Sequence, residues 1–192
     1  MNARALAANL VLCSALSAQA LPSWWTALPA LPRLESRFVQ ESQSEVFGVM
    51  KKGGLLQVAM GGRIRVAYDE GLLVVGDGLS LIQFDPRTRT AQRFDLKAMM
   101  LELPLIRILV DPRSLKEAYH AKAAGSKVVL TPRREGLPTV EVEGAGQFPT
   151  RISWMDGTGA RQALVLVSPR TPGPFASDLF RFKAPEDTRW IR

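Results

Sequence analysis

The 192-residue sequence has only one cysteine and one histidine, which limits the chemistry it can perform. Cys13 lies in the first twenty residues, and His120 stands alone in the rest of the chain. Cysteine–histidine nucleophiles and zinc clusters need more of these side chains than the chain supplies. A serine nucleophile also lacks its usual context, because no G-x-S-x-G pattern is present. The sequence therefore predicts neither an enzyme nor a metal site.

Long apolar runs are also missing, since no segment offers the ~20 apolar residues of a membrane-spanning helix. The N-terminal run from Leu6 to Leu16 is too short for such an anchor. It follows Arg4 and precedes the small-x-small ending Ala18-Gln19-Ala20, a pattern typical of a secretory signal peptide. We expect residues 1–20 to be removed by cleavage near Ala20, leaving residues 21–192 as one domain without cysteine.

Acidic side chains are fewer than basic ones, 18 against 25, and the formal net charge is +7. The basic residues are scattered singly, as at Arg87, Arg89 and Arg93, rather than grouped in blocks. This distribution argues against nucleic-acid binding. It favours contact with an anionic membrane surface, although the same excess could serve only solubility.

Alternation of polar and apolar side chains predicts β-strands over most of the chain. In residues 63–68, Ile64, Val66 and Tyr68 share one face of a strand and the arginines occupy the other. Glu141 and Glu143 alternate with valines in the same way, which is typical of a solvated strand face rather than an acid/base pair. The pattern continues to a last predicted strand at residues 178–185.

Turn residues divide these strands. Asp77-Gly78 and Asp156-Gly157 are strong hairpin signals. The doublets Gly53-Gly54 and Gly61-Gly62 are expected to mark bends. Neither doublet opens a helix after a strand, so neither predicts a phosphate-binding loop.

Two segments predict helix instead. Leu21 to Pro32 contains three prolines, so any helix there must be short. Lys97 to Leu109 is a dense apolar run in which Pro104 begins or kinks a second piece, Asp111-Pro112 ends it, and one more turn follows. About ten or eleven strands with this helical insertion predict a mainly antiparallel, incomplete β-barrel with short helices on one side.

The order of several short motifs resembles the outer-membrane lipoprotein carrier family, LolA. The likeness covers most of the chain after the signal peptide, and it depends on order and spacing rather than on one decisive motif. The matching segments are FVQ at Phe38–Gln40, G-x-L-x-V at Gly54–Val58, LIQFDP at Leu81–Pro86, ELPLIRIL at Glu102–Leu109 and LFRFKAP at Leu179–Pro185.

The resemblance implies a carrier in the periplasm of a Gram-negative bacterium, with no cofactor. Its cavity would receive the acyl chains of a lipoprotein from an inner-membrane ABC-type releasing complex and pass them to an outer-membrane receptor. We expect a monomer. At ~0.8 kcal/mol per methylene, a sixteen-carbon chain represents about 12 kcal/mol of exposure to water that such a carrier avoids.

Two sets of apolar residues are the candidates for this role, although the same pattern also fits a closed core. The cavity candidates are Phe38, Leu56, Val58, Met60, Ile64, Val66, Tyr68, Val140, Val142, Ile152 and Trp154. The lid candidates are Met99, Leu101, Leu103, Leu105, Ile106 and Leu109.

One departure from the family pattern leaves the cargo open. The strand that begins G-x-L-x-V commonly ends in an arginine that hydrogen-bonds the lid, and Met60 and Gly61 stand at the corresponding positions here. Methionine cannot donate those bonds, so lid closure should depend on apolar contact. The alternatives are a LolA-like paralogue that carries another lipid or lipid-linked product, and an envelope sensor or structural module built on the same sheet.

Overall fold

The structure, a computed structural model, describes residues 20–191. Most of the predicted signal peptide, with Cys13, therefore lies outside the described residues. Buried side chains alternate with more exposed ones along residues 33–38, 53–58, 127–131 and 140–142, which matches the period of two in the sequence.

Twelve strands form one sheet in the order β12-β6-β5-β4-β3-β2-β1-β11-β10-β9-β8-β7. All neighbours are antiparallel except β12, which pairs parallel to β6. The strands are β1 (Arg33–Ser44), β2 (Gly48–Ala59), β3 (Arg63–Tyr68), β4 (Leu73–Asp77), β5 (Ser80–Asp85), β6 (Thr90–Asp95), β7 (Tyr119–Ala124), β8 (Lys127–Pro132), β9 (Val140–Ala145), β10 (Phe148–Met155), β11 (Arg161–Arg170) and β12 (Arg189–Ile191).

The sheet is curved and open, because its outermost strands, β12 and β7, do not pair with each other. This arrangement confirms the incomplete antiparallel barrel predicted from the sequence. The strand number is twelve rather than ten or eleven. Strands β7 and β12 form where the sequence predicted none, whereas the strand predicted at residues 178–185 is missing.

Short helices cover one face of the sheet, which we call the inner face; the other is the outer face. They are α1 (Ser23–Ala27), α2 (Leu96–Glu102), α3 (Pro104–Val110) and α4 (Leu115–Ala118), with 3-10 turns at Leu28–Ala30 and Pro112–Ser114. The Asp95 carboxylate caps α2 by accepting a hydrogen bond from Ala98 N at 2.8 Å. Pro104 begins α3 and Asp111 ends it, which confirms the predicted helical break and end.

The hairpin predictions at aspartate–glycine pairs are confirmed. Asp77 Oδ1 accepts a hydrogen bond from Leu79 N at 2.9 Å, in the connection between β4 and β5. Between β10 and β11, the Asp156 carboxylate accepts from Thr158 and Gln162 side chains, and these bonds lower the pKa of Asp156 to about 2. Gly61-Gly62, with φ of +82° and +76°, forms the turn between β2 and β3.

The prediction that Gly53-Gly54 marks a bend is wrong. Both glycines lie inside β2, and the chain turns at residues 45–47 instead. A Cβ on Gly54 would lie 2.6 Å from Phe38 Cε1 and 2.5 Å from the Ala67 carbonyl oxygen. The glycine is therefore needed for the close approach of an aromatic ring on the neighbouring strand, not for a turn.

The predicted strand at residues 178–185 does not form either. This segment makes turns, with Leu179 N donating to Ala176 O at 3.1 Å, and it crosses the outer face without pairing. Its aromatic rings contact the sheet there. The Cζ atom of Arg63 lies 5.6 Å from the centroid of the Phe180 ring, which is buried. Alternating apolar residues in this segment are thus explained by side-chain contacts with the sheet rather than by strand pairing.

Candidate functional site

The inner face is a continuous apolar surface built by cross-strand register. Ile64, Val58 and Leu34 lie side by side on β3, β2 and β1. Further along, Ile152 pairs with Val142 across β10 and β9. Each strand contributes every second side chain to this face, so one apolar surface extends across the sheet.

All the predicted cavity residues except Met60 lie on the inner face, but they differ in burial. Val66, Tyr68 and Trp154 are half-buried and keep part of their surface free. The others are at most 5% exposed and fill the core beneath the helices: Phe38, Leu56, Val58, Ile64, Val140, Val142 and Ile152.

We call residues 96–110 the lid; they form α2, α3 and Leu103 between the two helices. The predicted lid residues lie on two sides of it. Leu109 is 9% exposed and belongs to the core, and Met99, Leu105 and Ile106 are half-buried against it. Leu101 and Leu103 are 47% and 40% exposed. The lid therefore has an apolar inner side and also presents leucines to solvent.

The lid rests on the sheet through apolar contact. Leu96 N donates to Leu79 O at 3.0 Å where α2 begins. Beyond that point, no described side chain of residues 96–110 forms a hydrogen bond or ion pair with a strand. A polar latch of the kind expected from the family arginine is thus absent from the described part of the lid.

One charged residue of the lid is nevertheless buried. Arg107 on α3 is 8% exposed, and its Nε has no hydrogen-bond partner among the described residues. The hydroxyl of Tyr119, which is 3% exposed, likewise has no partner there. Burial raises the pKa of the Tyr119 hydroxyl, while the nearby Arg107 charge acts in the opposite direction. The only sign of the buried Arg107 and Tyr119 in the sequence is that Arg107 is the single charged residue within PLIRILV, residues 104–110.

A cavity of about 360 Å³, the lid cavity, opens where the lid meets the ends of β2 and β3. Val58 and Met60 are the predicted cavity residues that line it, together with Met100 and Leu109 of the lid. Met60 is 46% exposed at this site. The remaining predicted cavity residues do not line this cavity.

A second cavity, the α1 cavity, was not predicted from the sequence. It has a volume of about 610 Å³ and lies between α1, α4 and strands β7 and β8. Residues from 21 to 133 contribute to its wall. Because these segments are distant in sequence, no local pattern could have located it.

The two carboxylates considered as an acid/base pair form ion pairs with a lysine instead. Glu141 and Glu143 each contact Lys127 Nζ at 3.2 Å, and this pair of carboxylates raises the pKa of Lys127.

Within residues 20–191, no group of three or more histidine, cysteine, aspartate or glutamate side chains is placed to hold a metal ion. None of the helices in that range has the length and apolar character needed to span a membrane.

Comparisons with known proteins agree with this architecture. The family model described as outer membrane lipoprotein carrier protein LolA matches residues 31–183. None of the curated protein sequences matches the chain. The fold is similar to that of a LolA superfamily protein from Nitrosomonas europaea, with a TM-score of 0.56 and 13% identity, covering 88% of this chain and 99% of that one. It is also similar to an uncharacterized conserved protein from Thermus thermophilus, with a TM-score of 0.52 and 12% identity, covering 88% and 96%.

Proposed function

Since this chain belongs to the LolA family of outer membrane lipoprotein carriers, we propose that it shields lipoprotein acyl chains between its lid and its sheet and transfers them across the periplasm. Members of this family are periplasmic carrier or binding proteins. The family model covers 153 residues, from 31 to 183, so it includes the inner face and the whole lid.

The observation that carries the proposal is the apolar inner face beneath a lid that has no polar latch among its described side chains. Acyl chains cannot cross water unaided, because each exposed methylene costs about 0.8 kcal/mol. They could enter at Val66, Tyr68 and Trp154, which already keep free surface, once the lid separates from the sheet. Opening would break only apolar contacts between the lid and the sheet. The acyl chains would then replace these with equivalent apolar contacts.

The proposal includes the parts of the pathway that the family implies. The mature carrier would be residues 21–192, exported by the N-terminal signal peptide. It would receive cargo from an inner-membrane ABC-type complex and deliver it to an outer-membrane receptor. The excess of basic residues would favour approach to anionic membrane surfaces.

A fluorescence titration with a triacylated cysteine peptide that carries brominated chains tests the proposal. Bromine quenches nearby tryptophans, and Trp154 lies on the inner face. We expect strong quenching in the wild type and a clear loss of that quenching in Trp154→Phe. Trp190→Phe should keep it, because Trp190 lies beside Phe182 of the segment on the outer face.

A charge placed on the inner face provides the second arm of this test. Val66→Glu should abolish peptide binding, because a carboxylate would then face the acyl chains. Ala67→Glu is the matched control, since the next residue on β3 points to the outer face. Folding of both variants is checked by circular dichroism. Equal binding by wild type and a folded Val66→Glu variant would overturn the proposal.

Mass spectrometry of the protein purified gently from the periplasm separates the alternatives. Triacylated cysteine peptides in the wild type support the lipoprotein carrier. Another lipid that is lost in Val66→Glu would indicate the paralogue instead. A folded wild type with no ligand, and no binding in the titration, would favour a sensor or structural module.

A further inference from the structure

The α1 cavity has an apolar interior that does not belong to the lid. Trp25 of α1, Leu115 of α4 and Leu130 of β8 contribute to it. At about 610 Å³, the cavity falls in the range of small-molecule sites, which are mostly apolar with a few placed polar groups. Such an interior suits a hydrocarbon chain.

Three cations stand at the rim of this cavity. Arg113, Lys116 and Arg133 all line it and are exposed. Arg113 Nε donates to Pro29 O at 3.2 Å, and Arg133 Nε donates to Lys116 O at 2.9 Å. These bonds fix the two guanidinium groups to the turn after α1 and to α4.

Among the described residues, the rim cations have no acidic partners. Every ion pair in that part of the chain involves other side chains. No lining residue within residues 20–191 is aspartate or glutamate; the other ionisable ones are His120 and Tyr119. Glu117 lies beside Lys116 on α4 but does not line the cavity. Three like charges at the mouth of an apolar cleft therefore attract an anion.

We propose that the α1 cavity binds a single-chain anionic amphiphile, with its acyl chain against Trp25 and its carboxylate or phosphate at Arg113, Lys116 and Arg133. The hydrocarbon gains the apolar interior, and the headgroup gains charge-assisted hydrogen bonds at the edge of water. The cavity borders the end of the inner face at Leu130, but none of residues 96–110 of the lid lines it, so the inference does not depend on lid movement or on the proposed transfer of lipoproteins.

Quenching of Trp25 by 9,10-dibromostearate is the direct test. We expect dibromostearate and a brominated lysophosphatidylglycerol to quench, and an uncharged brominated monoacylglycerol to bind at least roughly tenfold more weakly. Binding by only one of the two anions would identify the headgroup. Trp25→Phe should remove most of the quenching, because the remaining nearby ring, Trp24 at 5.8 Å from Trp25, does not line the cavity, whereas Trp154→Phe should keep it.

The rim is tested by neutralising two cations. Lys116→Gln combined with Arg133→Gln, two cations that do not line the lid cavity, should raise the dissociation constant of dibromostearate roughly tenfold, and added salt should weaken wild-type binding. Arg161→Gln with Arg89→Gln makes the same change in net charge away from the cavity and should have no effect. Equal affinity for the uncharged amphiphile, or quenching that is undiminished in Trp25→Phe, would overturn the inference.

The same variants separate this inference from the proposed function. The rim double variant should still bind the triacylated peptide at Trp154. Loss of peptide binding in Val66→Glu with retention of dibromostearate binding would show two independent sites. If dibromostearate binding instead disappears with Val66→Glu and persists in the rim double variant, the anion binds beside Val66 and the α1 cavity is not its site.

Discussion

At the scale of single residues, Arg107 is the side chain whose burial the sequence least explains. It faces inward from an otherwise apolar helix, and its Nε has no hydrogen-bond acceptor among the described residues. A buried donor without a partner costs about 1–3 kcal/mol. In the lid opening that we propose, the guanidinium would return to water and this cost would be lost. Arg107 would therefore make closure of the lid less favourable.

Replacing this charge should stabilise the protein. We expect Arg107→Met to raise the free energy of unfolding by about 1–3 kcal/mol, since methionine fills similar space without a buried charge. Urea unfolding followed by circular dichroism measures the change. Arg107→Lys, which keeps a buried charge, should give no such gain. A fall in stability with Arg107→Met would show that the guanidinium is a net stabilising group.

At the scale of elements, α1 packs on the sheet through a close approach of Trp24 to a glycine. The helix has only five residues and no side-chain cap, so it cannot be stable by itself. Trp24, 5% exposed, packs directly over Gly144 of β9. The position of α1, and with it one wall of the α1 cavity, therefore depends on a glycine more than one hundred residues away.

Filling that space should displace the helix. A Cβ at Gly144 would lie 2.2 Å from Trp24 Cδ2, so Gly144→Ala should lower the free energy of unfolding by about 1–3 kcal/mol and shift tryptophan emission to longer wavelength. Gly157→Ala is the control, because nothing lies within 4 Å of its added Cβ. In a Trp24→Leu background the Gly144→Ala effect should shrink. An equal effect in both backgrounds would contradict this account.

At the scale of the whole molecule, the two faces of the sheet are covered by different parts of the chain. The helices cover the inner face, and the segment near the C-terminus covers part of the outer face. The ring centroids of Phe182 and Phe84 lie 5.4 Å apart, and both rings pack with Ile82 in a second apolar cluster. Since the lid and this segment lie on opposite faces, the outer face could stay packed during the lid opening that we propose.

Removing the aromatic anchor should destabilise the molecule without altering the inner face. We expect Phe182→Ala to lower the free energy of unfolding by about 1–3 kcal/mol and to increase binding of a hydrophobic dye, because Ile82 and Phe84 become exposed. Leu79→Ala, at a side chain already 79% exposed, should change neither quantity. Binding of the triacylated peptide should persist in Phe182→Ala. Loss of that binding in a folded variant would show that the two faces are coupled.

The sequence by itself determined the features that depend on neighbouring residues. Alternation assigned Ile64, Val66 and Tyr68 to one face, because side chains along a strand point alternately to its two sides. Asp77-Gly78 located a hairpin, and Pro104 divided the lid, because each restricts the backbone locally.

Only the tertiary structure decided what depends on contacts between distant segments. Gly54 carries the same local signal as a bend glycine, yet Phe38 on the next strand gives it a different role. Which inner-face residues fill the core and which keep free surface depends on where the helices lie, and periodicity contains no such information. The α1 cavity and its cationic rim exist because α1, α4 and β8 meet in space. Long-range packing, which leaves no periodic trace in the sequence, therefore set the places where this protein could bind a ligand.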